Sequence, residues 1–217
     1  WTMHWSARFR FVADDPRKAA GENRGAEGSE VIALLGPLST DSRERLTIIS
    51  PYFVPGEAGT GALVGTDKGG SRVRVLTNSL AANDVALVYG GYTEWRKALL
   101  EGGVEIWELK PTPGQVVESS MFGSSGASLH TKALTVDGRI VFVGSYNLDP
   151  RSTSLNCEQG IFVESPELAV QLEQMFEIDT AGMRAWSVTL EDGTTRWNDG
   201  TDTFDRAPDA STGRRFQ

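Results

Sequence analysis

The residue types best suited to chemistry in this chain lie on either side of one Asp-Gly pair, Asp137-Gly138. Two runs with β-strand patterning flank that pair, and Asp-Gly between such runs predicts a two-residue hairpin turn. In that register His130 faces Ser145, and Lys132 faces Val143. Because opposed and alternate residues project from one face of a hairpin, several polar side chains should converge there. The residues expected on that side are His130, Lys132, Ser145 and, just beyond them, Asn147.

This set of side chains is suited to work on a phosphate ester. A histidine can attack phosphorus or protonate a leaving group near neutral pH. The lysine would place a positive charge beside an anionic oxygen, and the serine and asparagine would add hydrogen-bond donors. Since no cluster of carboxylates that could hold Mg²⁺ accompanies the set, we expect a phosphoryl-transfer site that works without a metal or another cofactor.

Composition narrows the possible functions. The 217 residues include 29 acidic and 21 basic side chains, for a formal net charge of −8. That balance argues against broad binding of nucleic acid, which depends on neutralising many phosphates. One cysteine and two histidines exclude a disulfide framework and disfavour a structural zinc site. The opening Trp1-Thr2-Met3-His4 is atypical of a full-length protein, and we expect a piece of a longer one.

Strand and helix patterns alternate along the chain, which predicts an α/β fold with a mixed, mostly parallel-core β-sheet flanked by helices on both faces. The predicted strands are 46–50, 72–77, 104–109, 129–136, 139–145, 158–163, 184–190 and 194–197, and the predicted helices are 31–44, 84–100 and 166–182. The glycine-rich stretch 56–70 shows no clear element. We expect a polar, partly flexible segment over 1–29, a catalytic domain over 30–198 and a loose tail over 199–217.

The spacing His130-x-Lys132-x4-Asp137-x6-Gly144-Ser145-x-Asn147 resembles the HKD signature of the phospholipase D superfamily. The flanking sequences are similar to the bacterial cardiolipin synthase branch of that superfamily. Those flanks are 50–56, 76–85, 147–152 and 155–160. The resemblance extends from about residue 30 to about residue 200 and supports the fold class given above.

The resemblance implies a role for each motif residue. One motif histidine attacks phosphorus and becomes a phosphohistidine, while its mate in a second motif protonates the leaving group, and His130 would be one of the two. Lys132 and Asn147 would bind phosphate oxygens, with Ser145 assisting. Glu158, eleven residues past the motif asparagine, would orient the histidine. The positions with a structural role would be Asp137 and Gly144.

The chain departs from the family pattern in carrying a single motif. His4 is no second copy, because Ser6 stands where the motif lysine would be. We therefore expect the C-terminal half of a longer enzyme, which would need its N-terminal half or a second copy of the chain to complete the site. The substrate would be a phospholipid, with peripheral contact at the bacterial inner membrane or a cytoplasmic location for a soluble fragment. The alternatives are a single-motif homodimeric phosphodiesterase or nuclease, and a catalytically incomplete binding half.

Several residues have simpler explanations than a catalytic role. Glu158 could be an ordinary strand-edge charge, and Ser145 could be no more than a small residue near the phosphate. Arg151 could reach substrate or form a local ion pair within a loop. Cys157 is expected to be a small buried residue without redox chemistry. The polar residues expected only in turns and caps are Asn78, Asn83 and Asp84, while Tyr52 and Phe53 are expected in the core or at a lipid pocket.

Overall fold

The computed structural model describes residues 6, 8–21, 29–83, 85–111 and 129–208. These residues form one ten-stranded sheet with strand order β1-β7-β6-β5-β2-β3-β4-β8-β9-β10. The strands are β1 Phe9–Ala13, β2 Arg45–Ile49, β3 Arg72–Asn78, β4 Glu105–Leu109, β5 Ala133–Val136, β6 Ile140–Gly144, β7 Gln159–Glu164, β8 Ala185–Glu191, β9 Thr194–Asn198 and β10 Thr203–Phe204. The helices are α1 Glu30–Thr40, α2 Gly56–Lys68, α3 Ala86–Glu101, α4 Pro150–Ser154 and α5 Pro166–Thr180.

The centre of the sheet is parallel and its flanks are antiparallel. Strands β2, β3 and β4 pair in parallel, and the other described pairings are antiparallel. Parallel strands are covered on both faces, which agrees with the almost fully buried run of β3. The predicted mixed α/β fold is confirmed, and its parallel part is limited to these three strands.

Helices cover both faces of the sheet, as predicted. One apolar core contains Val31 of α1, Leu63 of α2 and Leu99 of α3, packed against the sheet. A second core contains Leu172 and Phe176 of α5 on the opposite face. The β5–β6 hairpin therefore has apolar support on both sides, which fixes the positions of the residues at its ends.

Helix α2 occupies the glycine-rich stretch in which no element was predicted. Its buried side chains, Thr60, Leu63 and Thr66, recur every three residues and face the core. Glycine is a poor helix former, but packing of an apolar face supplies most of the stability of a helix in a protein. Packing has therefore overridden local propensity here.

The sheet extends past both ends of the range 30–198 expected for the catalytic domain. Strand β1 pairs antiparallel with β7, with Phe11 opposite Ile161. This strand lies within the segment 1–29 that was expected to be polar and partly flexible. The edge of β7 provides hydrogen-bond partners that the isolated segment lacks. Near the other end, β10 pairs with β9. The glycine, serine and proline content of 111–128 predicts a loop, and residues 112–128 lie outside the described residues.

None of the helices in the described ranges combines the length and the apolar character needed to cross a lipid bilayer.

Candidate active site

The Asp-Gly turn forms, but the hairpin register differs by one residue from the prediction. Asp137 and Gly138 have φ values of 52° and 60°. Val136 pairs with Ile140 instead of Arg139, so three residues separate the last paired positions. The expected pairs His130–Ser145 and Lys132–Val143 are therefore wrong. A shift of one residue exchanges the faces of a strand, so regular alternation does not place the four polar side chains together.

The ends of the hairpin strands nevertheless bring the two halves of the motif to one place. The Gly144 N–H donates to the Lys132 carbonyl at 3.1 Å, just beyond the β5–β6 ladder. Residues 130–132 precede β5 and residues 145–147 follow β6, so both segments lie at the open end of the hairpin. Residues 130–132 and 145–147 lie outside the two strands, so strand alternation does not set which of their side chains share a face.

Asp137 ties the hairpin turn to the beginning of β2. One carboxylate oxygen accepts from the N–H groups of Glu44 and Arg45 at 2.9 and 3.0 Å and from the Ser42 hydroxyl at 2.8 Å. Partial burial raises the pKa of Asp137, but these hydrogen bonds outweigh burial and hold the pKa below its ordinary value. Its contacts are those of a structural residue.

Gly144 lies where a side chain has no room. A Cβ atom built there would be 2.4 Å from the Gln159 carbonyl oxygen and 2.7 Å from the Phe142 ring. Its neighbour across the ladder is Gly160, where a Cβ would also collide with the Phe142 ring. Close packing of two backbones against one ring therefore explains the glycine of the motif.

The backbone before His130 is held by Asn78, which was predicted only as a turn or cap residue. The Asn78 amide donates to the Leu129 carbonyl at 3.2 Å and accepts from the Leu129 N–H at 3.1 Å. The His130 side chain is exposed, and the Lys132 ammonium donates to the His130 carbonyl at 2.9 Å. His4 lies outside the described residues.

Ser145 and Glu158 form a direct pair. The Ser145 hydroxyl donates to a carboxylate oxygen of the buried Glu158 and accepts from the Gln159 N–H at 3.0 Å. Glu158 was predicted to orient His130. In the described part of the chain, the Glu158 carboxylate accepts a side-chain hydrogen bond from Ser145, and its role toward His130 stays a prediction.

Asn147 is buried with part of its hydrogen-bonding capacity unused. Its N–H donates to the Ser152 hydroxyl at 3.2 Å, while its side-chain Oδ1 has no partner among the described residues. Rotation of the amide by 180° would place the Nδ2 donor at that position instead. Leaving a buried polar atom unpaired is unfavourable, so the unpaired atom of the Asn147 amide has the capacity to accept or donate one more hydrogen bond.

The segment after Asn147 forms helix α4, where a loop with a local ion pair had been one interpretation. Asp149 accepts from the N–H groups of Arg151 and Ser152, both at 2.8 Å, and so caps the helix. Burial raises the pKa of Asp149, against the lowering effect of those two bonds. The capped helix fixes the position of Ser152 beside Asn147.

The other candidates have structural contacts. Phe53 is in the core, as predicted, and the Asn83 side chain accepts from the Val85 N–H at 3.0 Å. Cys157 is exposed, so the prediction that it is buried is wrong. Asp84 lies outside the described residues, and Arg151 is exposed. Within the described ranges no three His, Cys, Asp or Glu side chains form a group that could hold a metal ion.

Two functional candidates in the N-terminal segment were missed by the sequence analysis. Asp14 and Lys18 form a fully buried ion pair at 2.6 Å. Asp14 accepts from the Glu158 N–H, and Lys18 donates to the carbonyl of Ser152, the residue that is hydrogen-bonded to Asn147. The signal that could have found them is their spacing of four residues, but a charged pair at that spacing is usually exposed on a helix.

A mixed sheet with a hairpin whose open end carries the residues that resemble the HKD signature is the arrangement expected of a phospholipase D-like domain. The family model described as "Cardiolipin synthase, PLD-like domain" matches residues 39–180, and the chain belongs to this family. The resemblance noted in the sequence is thereby confirmed.

The chain is similar to longer curated proteins. It is 44% identical over 194 residues to cardiolipin synthase C of Escherichia coli, covering 88% of this chain and 40% of that protein. It is 32% identical over 138 residues to cardiolipin synthase A of Pseudomonas syringae, covering 64% of this chain and 25% of that protein. The chain thus spans well under half the length of these relatives.

Solved structures share the fold at low sequence identity. Phosphatidylserine synthase of Haemophilus influenzae has a TM-score of 0.58 at 19% identity, with 76% of this chain and 38% of that chain covered. Nuc of Salmonella typhimurium, a phospholipase D family member, has a TM-score of 0.57 at 13% identity, with 82% and 97% covered. The same fold therefore occurs as nearly a whole chain and as part of a longer one.

Proposed function

We propose that this chain is the C-terminal catalytic half of a phospholipase D-like phosphatidyltransferase or phosphodiesterase, similar to cardiolipin synthases, that acts on phospholipid. The observation that carries the proposal is the open end of the β5–β6 hairpin. There an exposed imidazole and an ammonium precede β5, while a buried amide and a hydroxyl–carboxylate pair follow β6. Membership of the cardiolipin synthase-like family supports the choice of a lipid substrate.

The proposed chemistry uses two histidines in two steps. In the first, the lone pair of one imidazole nitrogen forms an N–P bond as the bond from phosphorus to the leaving alcohol breaks, and the second histidine protonates that alcohol oxygen. In the second step, an acceptor alcohol or water gives its proton to the second histidine and its oxygen attacks phosphorus. The N–P bond breaks, which frees the attacking histidine and leaves the phosphoryl group on the acceptor oxygen. Lys132 and Asn147 would stabilise the negative phosphate oxygens in both transition states.

His130 is one of these histidines, and the other must come from outside the motif found here. The two cardiolipin synthases compared above are each more than twice the length of the chain, which supports a missing N-terminal half as the source. A second copy of the chain is the other source. The size of Nuc favours that second candidate, a homodimeric phosphodiesterase, because one unit of this fold makes up nearly that whole chain.

A phospholipid substrate implies contact with a membrane surface, and we propose that this contact is peripheral at the inner membrane. The formal net charge of −8 argues against nucleic acid as the substrate of either candidate, because a strand of phosphates would be repelled.

The test is turnover of bis(p-nitrophenyl) phosphate by the purified chain in EDTA, beside His130→Ala. Turnover that persists in EDTA and is lost in His130→Ala supports a metal-free site completed by a second copy. If the chain alone is inactive, activity restored by the full-length protein, and lost there in His130→Ala, supports the half-site. Turnover that His130→Ala leaves unchanged in either protein contradicts the proposal.

A further inference from the structure

The N-terminal segment contains a buried ion pair that the proposed chemistry does not use. The Lys18 ammonium lies 2.6 Å from a carboxylate oxygen of Asp14, and both side chains are 0% exposed. Asp14 also accepts from the Ser29 hydroxyl at 2.9 Å. Removing two charges from water is costly, and a buried ion pair contributes little net stability compared with apolar residues of the same size. Stability alone therefore does not explain why this ion pair is buried, and its contacts with neighbouring segments are the place to look for a role.

Asp14 holds the backbone of Glu158 from both sides. The Glu158 N–H donates to the Asp14 carboxylate at 3.1 Å, and the Asp14 N–H donates to the Glu158 carbonyl at 2.8 Å. These two bonds fix the Cα atom from which the Glu158 side chain reaches the Ser145 hydroxyl. A displacement of Asp14 would therefore move the hydroxyl–carboxylate pair.

Lys18 reaches the segment that holds Asn147. Its ammonium donates to the Ser152 carbonyl at 2.8 Å, and the Ser152 hydroxyl accepts from the Asn147 N–H at 3.2 Å. Ser152 itself is fully buried. Through Ser152, the ammonium of Lys18 is linked to the backbone of Asn147, whose side-chain Oδ1 has no partner among the residues that the structure describes.

We propose that Asp14 and Lys18 are positioning residues of the active site, which together fix Glu158 and Asn147 relative to each other. Both lie outside the range 39–180 matched by the family model, so the site depends on a segment that precedes that range. The inference rests on the proposed function, since Glu158 and Asn147 are assigned to the site there. Neither Asp14 nor Lys18 needs to touch substrate.

The ionic state of the pair is consistent with this role. Burial raises the pKa of Asp14, but the hydrogen bonds from Lys18, Glu158 and Ser29 outweigh burial and keep the pKa below its ordinary value. The carboxylate is therefore charged at neutral pH and accepts hydrogen bonds on both oxygens. A charged acceptor makes shorter and stronger hydrogen bonds than a neutral one.

The first test measures local opening by amide hydrogen exchange in the purified chain. In Lys18→Met we expect the amides of Asn147 and Glu158 to exchange at least about tenfold faster than in the parent chain, with the central amides of β8 as the reference in each protein. The matched control is Arg74→Met, which breaks another buried ion pair, with Glu173, away from these segments. It should lower global stability without that selective change.

A second variant is the control for the case in which Lys18→Met does not fold. Asp14→Asn/Lys18→Met leaves no unpaired buried charge, so it should fold more readily than Lys18→Met. It still lacks the bond from Lys18 to Ser152, and the amide of Asn147 should again exchange selectively faster. Exchange at residues 147 and 158 that rises no more than exchange of the central β8 amides, in both Lys18→Met and the double variant, would overturn the inference.

The activity measurement uses whichever protein turns over the chromogenic phosphodiester. Lys18→Met should lower kcat by about tenfold or more with KM within about twofold, while Arg74→Met should leave both near the parent values at a temperature where each is folded. Equal effects of the two variants on kcat would contradict a positioning role. If no protein turns over the substrate, the proposed function fails, and the exchange measurement still decides whether the pair holds these two segments.

Discussion

Asn78 and Leu129 are joined by two hydrogen bonds, one in each direction, across 51 residues of chain. The Asn78 amide, at the end of β3, accepts from the Leu129 N–H at 3.1 Å and donates to the Leu129 carbonyl at 3.2 Å. A side-chain amide is the smallest group that can satisfy both backbone atoms of one residue. His130 follows directly, so its backbone is anchored to the parallel centre of the sheet.

Replacing Asn78 with alanine should leave both backbone groups of Leu129 unpaired in a buried place. We expect a loss of about 2–3 kcal/mol in the free energy of unfolding, measured by urea denaturation. Asn198→Ala, whose side-chain hydrogen bonds are exposed, is the matched control and should change stability by less than about 1 kcal/mol. Equal losses in the two variants would show that Asn78 does not hold this segment.

The lowered pKa of Asp137 predicts how stability depends on pH. The pKa of Asp137 in the folded protein lies below the ordinary aspartate value of 3.8. The carboxylate therefore contributes stability above pH 3.8, and this contribution is lost as the pH falls through the folded-state pKa. Asp137→Asn tolerates the positive φ but removes the charge. Urea unfolding from pH 7 to pH 2 should show the parent more stable at neutral pH, with the difference shrinking below about pH 4. A constant difference across the range would contradict the assignment.

The crowded Gly144 predicts a large penalty for one methyl group. Gly144→Ala would place Cβ against the Gln159 carbonyl and the Phe142 ring, and we expect a loss of about 1–3 kcal/mol in thermal or urea unfolding. Gly61→Ala is the matched control, because its Cβ would enter open space on helix α2. That change should stabilise the protein by about 0.5–1 kcal/mol. A stabilising Gly144→Ala would show that the ring and backbone can move aside.

The bond between Ser145 and Glu158 predicts energetic coupling of the two residues. In a double-mutant cycle with Ser145→Ala and Glu158→Gln, urea unfolding should give a coupling free energy of about 1.5–3 kcal/mol. A cycle between Ser145→Ala and the distant Glu105→Gln, whose carboxylate pairs with Arg72, should be additive within about 0.5 kcal/mol. Additivity in the first cycle would show that Ser145 and Glu158 do not stabilise each other.

Local sequence determined the parts of this protein that depend on neighbouring residues. The Asp137-Gly138 pair adopts the positive φ values that its residue types favour, and the strand patterns around it form the hairpin. The motif spacing identified the family, because His130, Lys132, Ser145 and Asn147 lie within eighteen consecutive residues. Turn chemistry and short-range periodicity act within such a span, so the sequence alone is enough to predict their effects.

Only the tertiary structure decided which distant residues hold those four in place. The register moved by one residue, so the open end of the hairpin, and not strand alternation, sets the site. The contacts of Asn78 with Leu129, and of Asp14 and Lys18 with the Glu158 and Ser152 backbones, join segments 51 to 144 residues apart. Burial gives these polar pairs their strength, because water no longer competes for their hydrogen bonds. Burial is a property of the whole packed chain, which the sequence of any one segment does not contain.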